Sequence, residues 1–188
     1  MNTIKVITVF ICTLFCVAAS AQAPHLYNVS RTFNESGFTY RAEVMPGGTV
    51  RLFNAANRHD FRQIQTFRDG RRITTEDRRG FGSVVNPCTS TIIQTVNDIV
   101  RNALSPAERQ RVGDWQLMVI MYVNMAATTP QPIAEVKFGF NNISPFATIP
   151  VSVYRQIELE IKQQVRMMPT ASGRQLNFVS VGFPVRVN

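Results

Sequence analysis

The chain has 188 residues and 20 Lys and Arg against 12 Asp and Glu, for a net charge of +8. That length makes one ordinary domain with a sizeable core. Two His and three Cys, with no His/Cys/carboxylate cluster at ligand spacing, argue against a zinc site.

The first element is an export signal. Met1-Asn2-Thr3-Ile4-Lys5 is a short basic start, Val6–Ala19 carries no charge, and Ala19-Ser20-Ala21 has the small-x-small form that signal peptidase cleaves. The apolar run is short for a membrane anchor, which needs about 20 residues. Phe15 before Cys16 is too bulky for lipoprotein processing. The expected mature chain begins at Gln22 and forms one domain, exported to the periplasm or medium, with no later transmembrane segment. Cys12 and Cys16 leave with the signal, so Cys88 stands alone and no internal disulfide forms.

Residues 22–36 are polar and read as an irregular N-terminal segment. A hairpin follows: Phe38, Tyr40, Ala42 and Val44 alternate with polar residues, Pro46-Gly47-Gly48 turns the chain, and Val50 and Leu52 return. Residues 58–79 hold seven Arg and four acids. Arg68-Asp69-Gly70 between Gln63–Phe67 and Arg71–Thr75 predicts a second, solvated hairpin. Residues 80–88 read as a loop.

Ile92, Ile93, Val96, Ile99, Val100, Ala103 and Leu104 form one helical stripe. Ser105-Pro106-Ala107-Glu108 restarts a short helix with a capping box and Pro in its first turn, ending near Gly113. Leu117–Val123 predicts a central strand covered on both faces. In Ile133–Phe140, Ala134, Val136, Phe138 and Phe140 point inward and Glu135 and Lys137 outward. The last helix starts near Pro150, with Thr148 as its cap. Ile149, Val153, Ile157, Ile161 and Val165 mark its stripe, Glu158–Lys162 forms a pair on its wet side, and Pro169 ends it. In the closing strand, Val179, Val181, Phe183, Val185 and Val187 share a face, and Pro184 places the end of that strand at an edge or leaves it frayed. Strands and helices mix without βαβ regularity. The expected fold class is therefore α+β, a mainly antiparallel sheet packed by two amphipathic helices.

The order strand, turn, strand, helix, then Val165-Arg166-Met167-Met168-Pro169, Gly173-Arg174 and Phe183-Pro184-Val185 resembles the carboxy-terminal domain of TonB-type energy transducers, over residues 114–188. The leading hairpin (in residues 37–113) and Leu104-Ser105-Pro106-Ala107-Glu108 are similar to small exported Bacteroidetes proteins of unknown function. The resemblance implies a fold and an exposed strand edge that can pair with a partner's strand. Transduction is not implied, because a transducer keeps a membrane helix and a Pro-rich linker.

The Arg bias suits an anionic partner such as an envelope glycolipid; Arg58, Arg62, Arg68, Arg71, Arg72, Arg78 and Arg79 are the candidate anion-binding residues. Basic and acidic residues are interleaved along the chain, which argues against a dedicated basic patch, and nucleic acid is an unlikely partner. Cys88, just before a predicted helix, is the candidate reactive thiol, and His59-Asp60 could supply a base and its orienter. No hydrolase signature surrounds Cys88, no Gly-rich phosphate loop is present, and Glu158 and Glu160 point to different faces. Tyr40, Trp115 and Phe140 could stack on sugars or bases, yet each sits where a core or strand-end aromatic is expected. The reading is a non-enzymatic binding module with no catalytic, metal or cofactor residues, set against a thiol enzyme using Cys88 with His59.

Overall fold

The structure, a computed structural model, describes residues 23–58, 65–80, 84–86, 89–123 and 128–187. The strands are β1 (Arg31–Glu35), β2 (Phe38–Val44), β3 (Thr49–Asn54), β4 (Val85–Asn86), β5 (Leu117–Val123), β6 (Gln131–Pro132), β7 (Glu135–Asn141), β8 (Arg166–Pro169) and β9 (Val179–Val185). The α-helices are α1 (Thr75–Gly80), α2 (Thr89–Ala103), α3 (Pro106–Val112) and α4 (Val151–Gln164). Short 3-10 turns cover Pro145–Thr148 and Gly173–Gln175.

The main sheet has six strands in the order β1-β2-β3-β7-β5-β9, and every pairing is antiparallel. A second sheet, β4-β8-β6, is antiparallel too. The fold class read from the sequence is the observed one, α+β. One face of the main sheet presents Tyr40, Ala42, Val50, Leu52, Val119, Met121, Phe138 and Phe183, all buried. Helices α2 and α4 pack against each other, α2 against β9 and α4 against β7. Each fully buried Val, Ile or Phe in this layer contributes roughly 1.5–3 kcal/mol.

Helix α3 forms as its residues dictate. Ser105 Oγ accepts from the Glu108 amide, Glu108 Oε2 accepts from the Ser105 amide, and Pro106 opens the first turn. Near β4, Gly173 sits so close to the chain that a Cβ would collide with the Val84 carbonyl oxygen.

Several expectations are corrected. The segment read as irregular carries β1, and Tyr27 within it is fully buried, donating to the Ile149 carbonyl at 2.9 Å. Among the described residues of the charged hairpin the pairing is one bridge, Thr66↔Arg72, around a turn with Gly70 at φ 85°, and Gln63 and Ile64 lie outside the described residues; helix α1 then takes residues from Thr75 onward. Part of the expected 80–88 loop is β4. Strand β5 is central, but Met118 remains exposed, so its second face is only partly covered. Ala134 is exposed while Glu135 and Lys137 are buried, Lys137 with its ammonium 4.7 Å from the Tyr122 ring centroid. Thr148 does not cap α4; its hydroxyl donates to Pro145 and accepts from Arg111. Helix α4 stops at Gln164, and Pro169 ends β8 instead. Glu158 is buried, not wet.

The turn between β1 and β2 is Ser36-Gly37, with φ of 50° and 79°. Positive φ at both central residues is the two-residue hairpin geometry that matches strand twist. Gly accepts it freely, whereas Ser bears a Cβ clash of about 1 kcal/mol. Ser36→Asn, a residue that tolerates this region, should raise stability by up to about 1 kcal/mol, read as a higher denaturant midpoint at unchanged slope.

Candidate functional site

Helix α4 turns Val151, Tyr154, Ile157 and Ile161 into the core and leaves Ser152, Gln156 and Leu159 exposed. Tyr154 anchors it. Its ring stacks on Phe140 (5.5 Å, 8° between planes) and its hydroxyl donates to the Phe146 carbonyl at 2.8 Å. Phe138 and Tyr27 complete an aromatic cluster around it.

One turn further along, the fully buried Glu158 carboxylate is bound on three sides. The Tyr40 hydroxyl donates to Oε2, Arg155 Nη1 donates to the same oxygen at 3.1 Å, and Lys162 Nζ donates to Oε1. Burial nevertheless pushes the Glu158 carboxyl above its ordinary range, with Lys162 pulling the other way. The Arg155 guanidinium carbon also lies over the Phe38 ring, 3.4 Å from its centroid.

Between α4 and the β1–β2 hairpin lies a cleft of about 260 Å³. Phe38, Tyr40, Val151, Arg155 and Leu159 line it, and Glu35 and Glu160 add carboxylates. Phe38 and Leu159, 39% and 46% exposed, offer apolar surface to a partner. Arg155 spends its charge on Glu158, so the cleft is an apolar slot with a guanidinium in its wall. Glu158 is held entirely by the protein's own groups, which makes it a structural carboxylate.

A second hollow at the end of the main sheet is more polar, lined by Asn57, Arg58, Tyr122, Glu135, Lys162 and Phe178. Tyr122 and Phe178 are buried there and present no stacking face. A shallower one holds Trp115 beside Arg111, Asp114 and Asn141. Tyr40 and Phe140 are core residues, while Trp115 is 44% exposed.

Among the described residues, the candidate anion-binding arginines Arg58, Arg68, Arg71, Arg72 and Arg79 do not line the cleft. Arg58 is exposed, and its amide donates to Glu135 Oε1. Arg68, Arg71, Arg72 and Arg79 are exposed on the 65–80 segment, with Arg78 in α1 between them. Arg71 stacks on Phe67 and pairs with Asp77 at 2.9 Å. The Asp77 carboxyl is held below its usual range, first by the Thr74 amide and then by Arg71. Arg62, His59 and Cys88 lie outside the described residues. Among the described residues no group of three or more His, Cys, Asp and Glu could hold a metal, and no helix is long and apolar enough to cross a membrane. The cleft itself was missed in sequence. Its one signal was Leu159, an apolar residue off the buried stripe of α4.

The chain matches, over residues 24–183, the family described as "Domain of unknown function (DUF5043)". It is similar to the crystal structure of a DUF5043 family protein from Bacteroides uniformis ATCC 8492. The two share 27% identity over 87% of this chain and 94% of the other, with a TM-score of 0.74. No curated protein matches it.

Glu158 sets a pH signature. Its carboxyl is raised in the folded state, so its contribution to stability is full below the unfolded value and is lost as pH rises through the folded one. Glu158→Gln should therefore gain on the parent protein as pH rises from about 4 to 8, read as a widening difference in Tm. Tyr40→Phe removes one donor from the buried carboxylate and should cost about 1–3 kcal/mol at neutral pH, measured by denaturant unfolding.

Proposed function

We propose that this chain, which belongs to the DUF5043 family, is an exported, non-enzymatic binding module that holds an apolar group of an envelope component in the cleft beside α4. The observation that carries the reading is the cleft itself: a concave apolar slot with exposed Phe38 and Leu159, next to a carboxylate already saturated by protein donors. The partner is an anionic amphiphile. Its chain lies in the slot and its head stays in solvent outside it. The net charge of +8 and the exposed Arg68, Arg72 and Arg79 favour approach to an anionic surface. Residues 1–21 supply the export signal.

Dodecanoate is a suitable probe. Titration of the mature protein should show saturable binding that Leu159→Asp weakens by about tenfold or more, a loss of at least about 1.4 kcal/mol. Leu159 is half-exposed, so this variant should fold, and its melting temperature provides the control. A folded Leu159→Asp protein that binds dodecanoate as the parent does would remove the cleft from the function. Cys88→Ser should leave that binding and the melting temperature unchanged, and intact mass of the exported product should show the loss of Met1–Ala21.

A further inference from the structure

Strand β1 is one free edge of the main sheet, and among the described residues no strand lies beyond it. Its hairpin partner fixes which groups face outward. The Ser36-Gly37 turn closes on the Glu35↔Phe38 pair, and in a two-residue hairpin that closing pair exchanges both backbone hydrogen bonds. The pattern alternates from there. Arg31, Phe33 and Glu35 direct their amides and carbonyls to β2, whereas Thr32 and Asn34 direct theirs out of the sheet. Side chains alternate as well. Arg31, Phe33 and Glu35 share the α4 face, where Arg31 lies over the Phe33 ring at 4.3 Å, Phe33 packs on Tyr27, and Glu35 lines the cleft.

The residues of this edge, Arg-Thr-Phe-Asn-Glu, complement their own reversal. When a second copy is laid antiparallel with Phe33 opposite Phe33, Thr32 faces Asn34 and both present outward backbone donors and acceptors. Arg31 then faces Glu35 at each end, on the same side of the joined sheet. Opposite charges directly across an antiparallel pair stabilise it, and like charges oppose it. A slide of one pairing step in either direction destroys both ion pairs, so charge and hydrogen-bond parity select one register. Sheets that keep their edges solitary commonly do so with charge, especially Lys; β1 instead carries one charge of each sign at equal distances from its centre.

We propose that two copies of this protein associate through β1, antiparallel about a two-fold axis at Phe33, joining two six-stranded sheets into one. The interface is isologous and closed, as expected of a two-fold dimer. Arg31 of each copy comes to the mouth of the other copy's cleft, where Glu35 and Glu160 supply carboxylates. This inference rests on the edge of β1 and not on what occupies the cleft.

Sedimentation of the mature protein across a range of concentrations tests it. Without Lys5 each mature copy has 19 basic against 12 acidic residues, a net charge of +7 that repels at long range, so the measurement belongs at physiological salt, where screening sets in over about 8 Å. The parent should be dimeric. Arg31→Glu alone places acid against acid at both ends of the interface, and Glu35→Arg alone places base against base; each should weaken the dimer by about tenfold or more. The double variant Arg31→Glu/Glu35→Arg should regain parental association. An equimolar mixture of the two single variants should form the mixed dimer, because acid then meets base at both ends. Both positions are exposed, and thermal melting of each variant verifies the fold. A parent that stays monomeric overturns the proposal. A dimer indifferent to the single changes overturns it too, since association would then use another surface such as β9. So does a mixture of folded single variants that fails to pair.

Discussion

A carboxylate removed from water governs how α4 lies on the sheet. Glu158 has no solvent around it, and an isolated buried charge is costly enough that its surroundings must answer it. Tyr40 answers from β2, Arg155 and Lys162 from α4 itself. Because one donor comes from the sheet and two from the helix, the carboxylate ties helix to sheet at a single place. Aromatic packing of Tyr154 on Phe138 and Phe140 supplies the bulk of the contact one turn earlier. Packing of that kind tolerates small slides; a hydrogen-bonded charge does not.

The cleft follows from this arrangement. Arg155 is drawn toward Glu158 and lies against Phe38, which holds the hairpin end of β2 beside the helix. Leu159, next to Glu158 in sequence, is turned the other way by the helical period and remains half-exposed. A polar interaction inside the fold thus leaves an apolar surface outside it. The two free edges of the main sheet differ in the same physical terms. Strand β9 contains Pro184, which lacks a donor, and the segment before it is engaged by the Phe67↔Leu176 bridge. Strand β1 has no proline and carries balanced charge, so the two edges are not equivalent docking surfaces.

Elements with a strong local signal were legible. The β2–β3 hairpin, α2, α3 with its capping box, and the antiparallel β5, β7 and β9 appear where alternation, helical spacing and capping residues put them. The misreadings concern residues whose polarity misled. Glu135 and Lys137 alternate with Val136 and Phe138, so a one-sided sheet would expose them, yet Lys137 packs near Phe53 and Tyr122. Glu158 and Lys162 have the spacing of a solvated pair, and the spacing is real, but Tyr40 is distant in sequence and nothing local announces it. Strand β1 is polar because it is an edge, and its only punctuation is Ser36-Gly37, a weaker turn cue than Asn-Gly. The chain turns at Asp69-Gly70, but with positive φ at Gly70 and not at Asp69, while Thr74 and Asp77 captured the following residues for α1 by side-chain to backbone hydrogen bonds.

The order of charges and apolar residues along the chain was enough, by itself, to determine the α+β class, the two amphipathic helices, the cap of α3 and the edge position of the closing strand. Each depends on neighbours within a few residues, where backbone geometry converts spacing directly into a face. Tertiary structure alone decided that β1 joins the sheet, that Glu158 is enclosed, and that Phe38 and Leu159 meet across a cleft. The last two outcomes depend on groups more than a hundred residues apart, and burial is a property of what comes to lie on a residue, which its own sequence neighbours do not specify.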